Sequence, residues 1–197
     1  MKIYDISQEV FSCEVYPGDP VPERRRICSI ENGDLYNLTA FSMCAHNGTH
    51  TDAPCHFIKD GDGIEKIDIN KTVGWAFVYA CEGDVGADEA EKILALAASE
   101  APEAAKRILI KGKATVTSAA ASVFAEAGVY LVGVESQSVG PEDAPMEVHK
   151  ILLGAGTVLL EGLRLSEADE GIYLLSSAPL LLSGADGAPC RAVLIKF

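Results

Sequence analysis

The sequence predicts an α/β protein of one domain, spanning residues 1–197 and built around a mixed, largely parallel β-sheet. Strand-like and helix-like segments alternate in the second half of the chain, and parallel pairing of strands usually needs a helical crossover. The 197 residues are enough to bury a substantial core. A hydrophobic fraction of 48% and a charged fraction of 23% are ordinary for a globular protein.

The first half of the chain is predicted to contain strands joined by turns. Three segments have the composition of strands: KIYDISQ, RRRICSI and LYNLTAFSMCA. The segment YPGDPVP, rich in proline and glycine, predicts a turn between the first two. After Gly74 the strand WAFVYAC is followed by Asp88 and Glu91, whose spacing predicts a capping box at the start of a helix that runs to about Ser99.

The remaining segments continue the alternation of strand and helix. The strand RILIKG precedes a helix of small residues that ends at Gly128, and the strand VYLVGV follows. The segment PMEVHKILLGAG predicts a short helix with Pro145 at its start and Gly154 after its end. The predicted strands are completed by TVLLEGL, GIYLLS and RAVLIKF.

The net charge argues against nucleic acid and membrane surfaces as partners. Sixteen basic and twenty-nine acidic side chains give a formal charge of -13, which repels phosphate backbones and anionic lipids. The start of the chain lacks the apolar stretch of a secretory signal, and no later apolar run approaches a membrane span, so a cytoplasmic protein is expected. The six cysteines form no CxxC pair and are expected to be reduced thiols.

The segment HNGTHTDAPCHF holds three of the four histidines of the chain. His46, His50 and Asp52 occupy even positions, so an extended segment turns them to one face. A fully extended strand separates His46 and His50 by roughly 13 Å, however, too far for both to bind one metal ion. We therefore expect a bend at Gly48, after which His50 and Asp52 can act together as ligands of zinc or manganese.

His56 lies beyond the proline of the same segment, away from the ligand pair but within reach of a bound substrate. An imidazole there is a candidate acid or base. A single histidine near a turn is more often structural, whereas three with an interleaved aspartate indicate a metal or catalytic site. The neighbouring Cys55 could suggest a Cys-His nucleophile, but neighbours on a strand face opposite sides, which favours a buried structural thiol.

Two further candidate ligands lie in the second half of the chain. His149 has apolar neighbours at helical spacing and is predicted to face inward, where by itself it would be a hydrogen-bonded core histidine. Glu161 interrupts the apolar segment TVLLEGL, and a buried carboxylate is costly unless it is paired or bound to a cation. A surface position at the strand end is an equal alternative for Glu161. Together the two residues could bind a second ion.

The segment HNGTHTDAPCHF resembles the HxGTHxDxPxH signature of the cyclase-like metal-dependent hydrolases, a family that includes bacterial kynurenine formamidases. Four other segments are similar to those of the family, in the same order: YPGD, GVESQSVGPED, HKILLGAGTVLLEGL and LLLSGADGAPCRAVLI. The resemblance implies a swivelling β/α/β fold. It also implies a homodimer or homotetramer in which a neighbouring subunit completes the walls of the active site.

The resemblance further implies a role for each residue of the site. Two divalent ions, zinc or alternatively manganese, would be held by His46, His50, Asp52, His149 and Glu161. Asp52 and Glu161 would bridge the two ions, and His56 would donate and accept the proton. Members that act on formamides usually carry tryptophan before the PGD segment, where this chain has Tyr16, whose ring can still stack on an aromatic substrate.

The predicted function is metal-dependent hydrolysis of the C–N bond of an amide, such as the aryl formamide N-formylkynurenine. The ions would activate water for attack on the carbonyl carbon, and His56 would protonate the departing amine nitrogen. A cyclic amide, an imide or another carbonyl compound is the alternative substrate. A metal-binding or ligand-binding protein without catalytic activity is the alternative from another class.

Overall fold

A nine-stranded sheet with three α-helices forms most of the molecule. The computed structural model describes residues 1–197. The strands, in chain order, are β1 (Lys2–Asp5), β2 (Glu23–Cys28), β3 (Leu38–Ser42), β4 (His50–Asp52), β5 (Val73–Ala80), β6 (Gly83–Val85), β7 (Arg107–Lys111), β8 (Ala114–Val116), β9 (Leu131–Val134), β10 (Val158–Glu161), β11 (Gly171–Ser176), β12 (Gly187–Pro189) and β13 (Val193–Lys196). The helices are α1 (Ala87–Glu100), α2 (Ser118–Glu126) and α3 (Met146–Gly154). None of the helices has the length and apolar composition needed to cross a membrane.

Four parallel strands form the centre of the main sheet, and antiparallel strands extend it on both sides. The strand order is β1-β13-β11-β5-β7-β9-β10-β4-β12. Strands β5, β7, β9 and β10 pair in parallel, and most of their residues are buried and apolar, as expected for strands covered on both faces. The predicted α/β class with a mixed sheet is confirmed, and its parallel pairing occupies the centre.

Two apolar clusters cover the two faces of this centre. Alternate residues of β7 belong to different clusters: Ile108 and Ile110 pack with the helices, whereas Leu109 packs with residues of the other face. The first cluster includes Phe124 of α2, and the second includes Leu163, which follows β10. The parallel strands are therefore packed on both faces. This packing fixes the positions of the strand ends from which the loops of the site extend.

The helices form where the sequence predicts them, but their ends differ from the prediction. The residue before the first turn of α1 is Gly86, which has no side chain to cap the helix, and Asp88 lies inside the first turn. The predicted capping box is therefore wrong, although acidic residues in that turn still favour the helix dipole. Helix α2 is capped by Thr117, whose hydroxyl accepts the N–H of Ala120 at 3.3 Å. Gly154 is the last residue of α3 rather than the residue after it.

Strands β2 and β3 form a separate hairpin whose strands are almost entirely exposed. Phe41 is 60% exposed and Leu38 is 45% exposed, and Arg24, Arg25 and Arg26 follow one another on the other strand. An isolated two-stranded hairpin is at best marginally stable in water. Outside the hairpin, the ring of Phe11 packs edge-on against Phe41 and lies beneath Arg24, but most of the apolar and basic side chains of the hairpin remain exposed.

Candidate active site

Strand β4 brings His50 and Asp52 next to Glu161 at the end of β10. The two strands pair antiparallel, with His50 opposite Glu161 and Asp52 opposite Leu159. Because side chains alternate along a strand, His50 and Asp52 share one face. The Nε2 atom of His50 lies 3.3 Å from Oε2 of Glu161 and 3.5 Å from Oδ1 of Asp52. All three side chains are buried, so the surface alternative for Glu161 is wrong.

His149 and His46 complete the cluster from two other parts of the chain. His149 faces inward from α3, as predicted, and its Nε2 atom lies 3.2 Å from Oε1 of Glu161 and 3.5 Å from Oδ2 of Asp52. The Nδ1 atom of His46 lies 2.9 Å from Oδ1 of Asp52. The predicted bend between His46 and His50 is present, because Gly48 has a φ of 70°. The structure thus brings together all five residues that were predicted to be ligands.

Backbone carbonyl groups orient two of the imidazole rings. The Nδ1 atom of His50 lies 3.0 Å from the carbonyl oxygen of Gly48, and that of His149 lies 2.8 Å from the carbonyl oxygen of Pro145. A carbonyl oxygen only accepts hydrogen bonds, so each Nδ1 atom carries the proton. The neutral form of each ring then offers the lone pair of Nε2 to the carboxylates of Asp52 and Glu161. Lone pairs facing carboxylates repel unless a positive charge lies between them.

The residues present fit a bound cation. Three groups of donor atoms each lie within 4.8 Å of one another. Two of them share Asp52, and the three groups are His46, His50 and Asp52; Asp52, His149 and Glu161; and His46, His56 and Asp186. The Nε2 atom of His50 and the Oδ2 atom of Asp52 are buried without a hydrogen-bond partner. Burial would lower the pKa of His50, but the nearby carboxylates of Asp52 and Glu161 outweigh it and raise the pKa to about 10. Imidazole nitrogen and carboxylate oxygen suit zinc and manganese.

A close approach between two glycines supports this cluster. The carbonyl oxygen of Gly162, the residue after Glu161, accepts the hydroxyl of Thr49 at 2.7 Å and the amide of Gln8 at 2.8 Å. A Cβ atom added to Gly162 would lie 2.4 Å from the carbonyl oxygen of Gly48, and Gly162 has a φ of 69°. Since that carbonyl oxygen orients His50, the position of the ring depends on the absence of a side chain at residue 162.

We expect the substitution Gly162→Ala to destabilise the fold and weaken metal binding together. Gly83→Ala is the matched control, because Gly83 has a φ of 79° but nothing within 4 Å of an added Cβ atom. The control should lower the free energy of unfolding by about 1 kcal/mol through its backbone strain. Gly162→Ala should cost about 2 kcal/mol more through overpacking, measured by denaturant unfolding. Equal metal affinity in the two variants would contradict the role of this contact.

A cavity of about 320 Å³ adjoins the cluster, and His56 forms part of its wall. The ring of His56 stacks on that of His46, with ring centroids 4.0 Å apart. Burial is the largest influence on the pKa of His56 and lowers it. Tyr16 and Phe57 also line the cavity, and the hydroxyl of Tyr16 donates to the carbonyl oxygen of Glu142 at 3.3 Å. The candidate proton donor and the candidate stacking residue therefore face the same space.

Cys55 lies in a 3-10 helix, whereas the sequence-based prediction assumed a strand. Pro54 begins a short 3-10 helix that ends at His56, so the alternation of side chains along a strand does not apply there. The thiol of Cys55 lies 3.7 Å from the carbonyl oxygen of Ala185, and Cys55 is not among the residues that line the cavity. The geometry gives no support to a Cys-His nucleophile.

Two acidic residues of the cavity wall were not singled out from the sequence. Asp19 belongs to the YPGD segment, and Asp186 belongs to the late segment LLLSGADGAPCRAVLI. The carboxylate of Asp186 lies 3.1 Å from Nε2 of His46 and 3.4 Å from Nδ1 of His56. The likeness of these segments to a known pattern was the only available signal, because neither aspartate has a spacing that indicates a site.

The chain is similar in sequence to one described family and to named enzymes from different organisms. Residues 4–141 match the family described as "Putative cyclase". The kynurenine formamidase of Delftia acidovorans (strain DSM 14801 / SPH-1) is 32% identical, over 98% of this chain and 97% of the relative. The kynurenine formamidase of Salinibacter ruber (strain DSM 13855 / M31) is 33% identical, over 98% of this chain and 97% of the relative.

Solved structures share the fold along nearly the whole chain. One, described as "The Structure Of Potential Metal-Dependent Hydrolase With Cyclase Activity", has a TM-score of 0.80 and 27% identity, covering 98% of this chain and 96% of that chain. Isatin hydrolase A from Labrenzia aggregata, bound to benzyl benzoate, has a TM-score of 0.79 and 20% identity, covering 98% and 93%. At that identity the second likeness concerns the fold alone. The swivelling β/α/β fold implied by the sequence resemblance is confirmed.

Proposed function

Because this chain belongs to the cyclase family and is a metal-dependent amide hydrolase of the kynurenine formamidase type, we propose that its substrate is an aryl formamide. N-formylkynurenine is the first compound to test. The observation that supports this proposal is the juxtaposition of the buried ligand cluster with a cavity walled by His56 and two aromatic rings, Tyr16 and Phe57. A cavity of about 320 Å³ lies at the lower end of the usual range for small-molecule sites.

We propose that two divalent ions, zinc in preference to manganese, occupy the cluster. Three imidazoles among five ligands favour zinc, and Asp52 is common to the two groups of donor atoms that these five ligands form. Glu161 would also be shared between the two ions, because its two carboxylate oxygens face different histidines. When bound, such ions polarise a carbonyl group and lower the pKa of water from 15.7 toward about 7. The backbone N–H of Val139 donates to Oε1 of Glu161 at 2.7 Å, which holds that carboxylate in place.

His56 is assigned the proton transfer. An amide breaks down only when its nitrogen leaves as a neutral amine, so a proton must reach that nitrogen as the C–N bond breaks. His56 borders the cavity but contributes to neither of the two donor groups built on Asp52, so its ring is free to exchange a proton with the substrate. The rings of Tyr16 and Phe57 provide apolar surface against which an aryl group can pack.

A hydrolysis panel with the fully metallated protein tests the substrate class. The panel consists of N-formylkynurenine, a simple formanilide, isatin and a cyclic imide, each followed by absorbance, with metal content measured on the same preparation. We expect the two formamides to have the highest kcat/KM. Faster turnover of isatin or the imide would assign a cyclic substrate instead. Inactivity on the whole panel at full metal content would favour a binding protein.

We also propose that the chain forms a homodimer or homotetramer. The exposed hairpin of β2 and β3 carries apolar side chains together with three consecutive arginines, whereas the chain as a whole has a net charge of -13. A second copy offers both the apolar cover and the acidic surface that this hairpin lacks. Light scattering after size-exclusion chromatography tests this directly, and a mass of 20.8 kDa would contradict it. A cytoplasmic location is proposed as well, consistent with six free thiols.

A further inference from the structure

Asp186 lies between a candidate ligand and the candidate proton donor. The same carboxylate oxygen, Oδ2, is 3.1 Å from Nε2 of His46 and 3.4 Å from Nδ1 of His56. The backbone at this point is held firmly, because the N–H of Ala53 donates to the carbonyl oxygen of Asp186 at 2.8 Å. The next residue, Gly187, begins β12 and pairs with Asp52 of β4. The carboxylate therefore has a defined position relative to the ligand cluster.

Gly187 shows independently that the His46 ring is placed against this segment. A Cβ atom added to Gly187 would lie 2.7 Å from Cε1 of His46 and 3.1 Å from its Nδ1 atom. Gly187 does not have a positive φ, so a side chain is excluded there by the space that the ring and the carbonyl oxygen of Thr51 occupy, and not by the backbone conformation. Residues 186 and 187 thus act on the same ring, one by a polar contact and the other by leaving room.

We propose that Asp186 is a positioning residue that sets the tautomers of His46 and His56. The contact with Nε2 of His46 is a hydrogen bond, and a carboxylate only accepts, so that nitrogen carries the proton. The negative charge of the same carboxylate, 3.4 Å from Nδ1 of His56, favours the proton of His56 on that nitrogen. His46 is then left with the lone pair of Nδ1, the atom that faces Asp52 at 2.9 Å. His56 is left with Nε2 for proton exchange with the substrate. The carboxylate of Asp186 thereby leaves Nδ1 of His46 available as a metal ligand and Nε2 of His56 available for acid-base chemistry.

A ligand role for Asp186 is less consistent with these contacts. His46 would have to bind one ion through Nδ1, beside Asp52, and another through Nε2, beside Asp186, which requires the loss of both ring protons. The side chain of Asp186 is also 51% exposed, whereas that of Asp52 is fully buried. Carboxylates that accept the second N–H of a metal-bound histidine are a general feature of metal sites, and their removal typically costs 10–100-fold in affinity or activity.

Asp186→Ala removes the acceptor, and Asp186→Asn keeps the size of the side chain if the first variant folds poorly. Asp62→Asn is the control, because Asp62 is an exposed residue of the same region that pairs only with Lys66. Zinc affinity is measured by competition with a chromophoric chelator. We expect a loss of about 10-fold or more in Asp186→Ala, a smaller loss in Asp186→Asn and none in the control. Spectra of ¹⁵N-histidine in the zinc-loaded wild type should show the His46 proton on Nε2, and the Ala variant should lose this preference.

The part of the proposal that concerns His56 rests on the proposed function and is measured with N-formylkynurenine. We expect kcat to fall about 10-fold in Asp186→Ala while KM changes less than about twofold. If the wild type hydrolyses no compound of the panel, the proposed function fails, while zinc affinity and the His46 spectrum still test Asp186. Unchanged affinity and an unchanged tautomer would overturn the proposal, whatever the activity. Loss of a whole equivalent of zinc would also overturn it, because Asp186 would then be a ligand.

Discussion

The substitution Asp52→Asn should abolish the metal-dependent stability of the protein and lower hydrolysis by roughly 10³-fold or more. Asp52 is the one residue that belongs to both groups of donor atoms built around β4 and β10, and its side chain is fully buried. Asparagine keeps the size of the side chain but removes the negative charge that a divalent ion needs. Loss of this single carboxylate is therefore expected to weaken the binding of both proposed ions.

Thermal unfolding with and without a chelator measures this effect. A ligand at 1,000 times its dissociation constant stabilises the folded state by about 4 kcal/mol, so removal of the metal should lower the Tm of the wild type by several degrees. The Tm of Asp52→Asn should not respond to the chelator, whereas the control Asp62→Asn should respond like the wild type. Retention of two equivalents of zinc by Asp52→Asn would show that the ligand assignment is wrong.

The substitution His56→Ala should lower kcat for N-formylkynurenine by about 10² to 10⁴-fold, with metal content unchanged. The imidazole is assigned the delivery of a proton to the amine nitrogen, and no other imidazole at the cavity is free of the two donor groups built on Asp52. Metal content should stay normal because His56 is not one of the five proposed ligands. Steady-state kinetics together with metal analysis separates these two quantities.

The leaving group provides a sharper test of the same role. An aryl formate ester releases a phenolate, which leaves without prior protonation, so His56→Ala should slow its hydrolysis much less than that of the amide. Cys55→Ser is the matched control: it is next to His56 in the chain, but its thiol is directed to the carbonyl oxygen of Ala185. An equal loss for ester and amide, or full turnover of the amide by His56→Ala, would contradict the role in proton transfer.

Much of the fold was predictable because long elements carry their own pattern. The strands of the parallel centre are rich in buried apolar residues. Helix α1 appears in the sequence as a segment rich in alanine and leucine, and α2 as a segment of small residues that precedes Gly128. Strands β4, β6, β8 and β12 were not predicted as such. Each has three residues, which is too short to establish an alternation of polar and apolar side chains. These strands exist because neighbouring strands supply their hydrogen bonds.

In the candidate site, too, the residues that lie close together in the sequence were predictable, whereas the contacts between distant residues depended on the fold. His46, His50 and Asp52 lie within seven residues, and a single bend at Gly48 is enough to bring them together. His149 and Glu161 could be suspected from the cost of burying them, but their meeting with Asp52 required the pairing of β10 with β4. Asp186 was not predicted, because its partner His46 is 140 residues away along the chain.

By itself, the sequence determined the chemistry of this protein: which ligands are available, where the chain can bend, and which histidine stands apart from the others. Those properties are local, since they depend on residue type and on spacing within a few positions. The tertiary structure decided which distant groups complete the site, including the second set of ligands, the cavity and the carboxylate beside His46 and His56. Such contacts depend on strand register, and register is set by the burial of whole faces of the sheet rather than by any one segment.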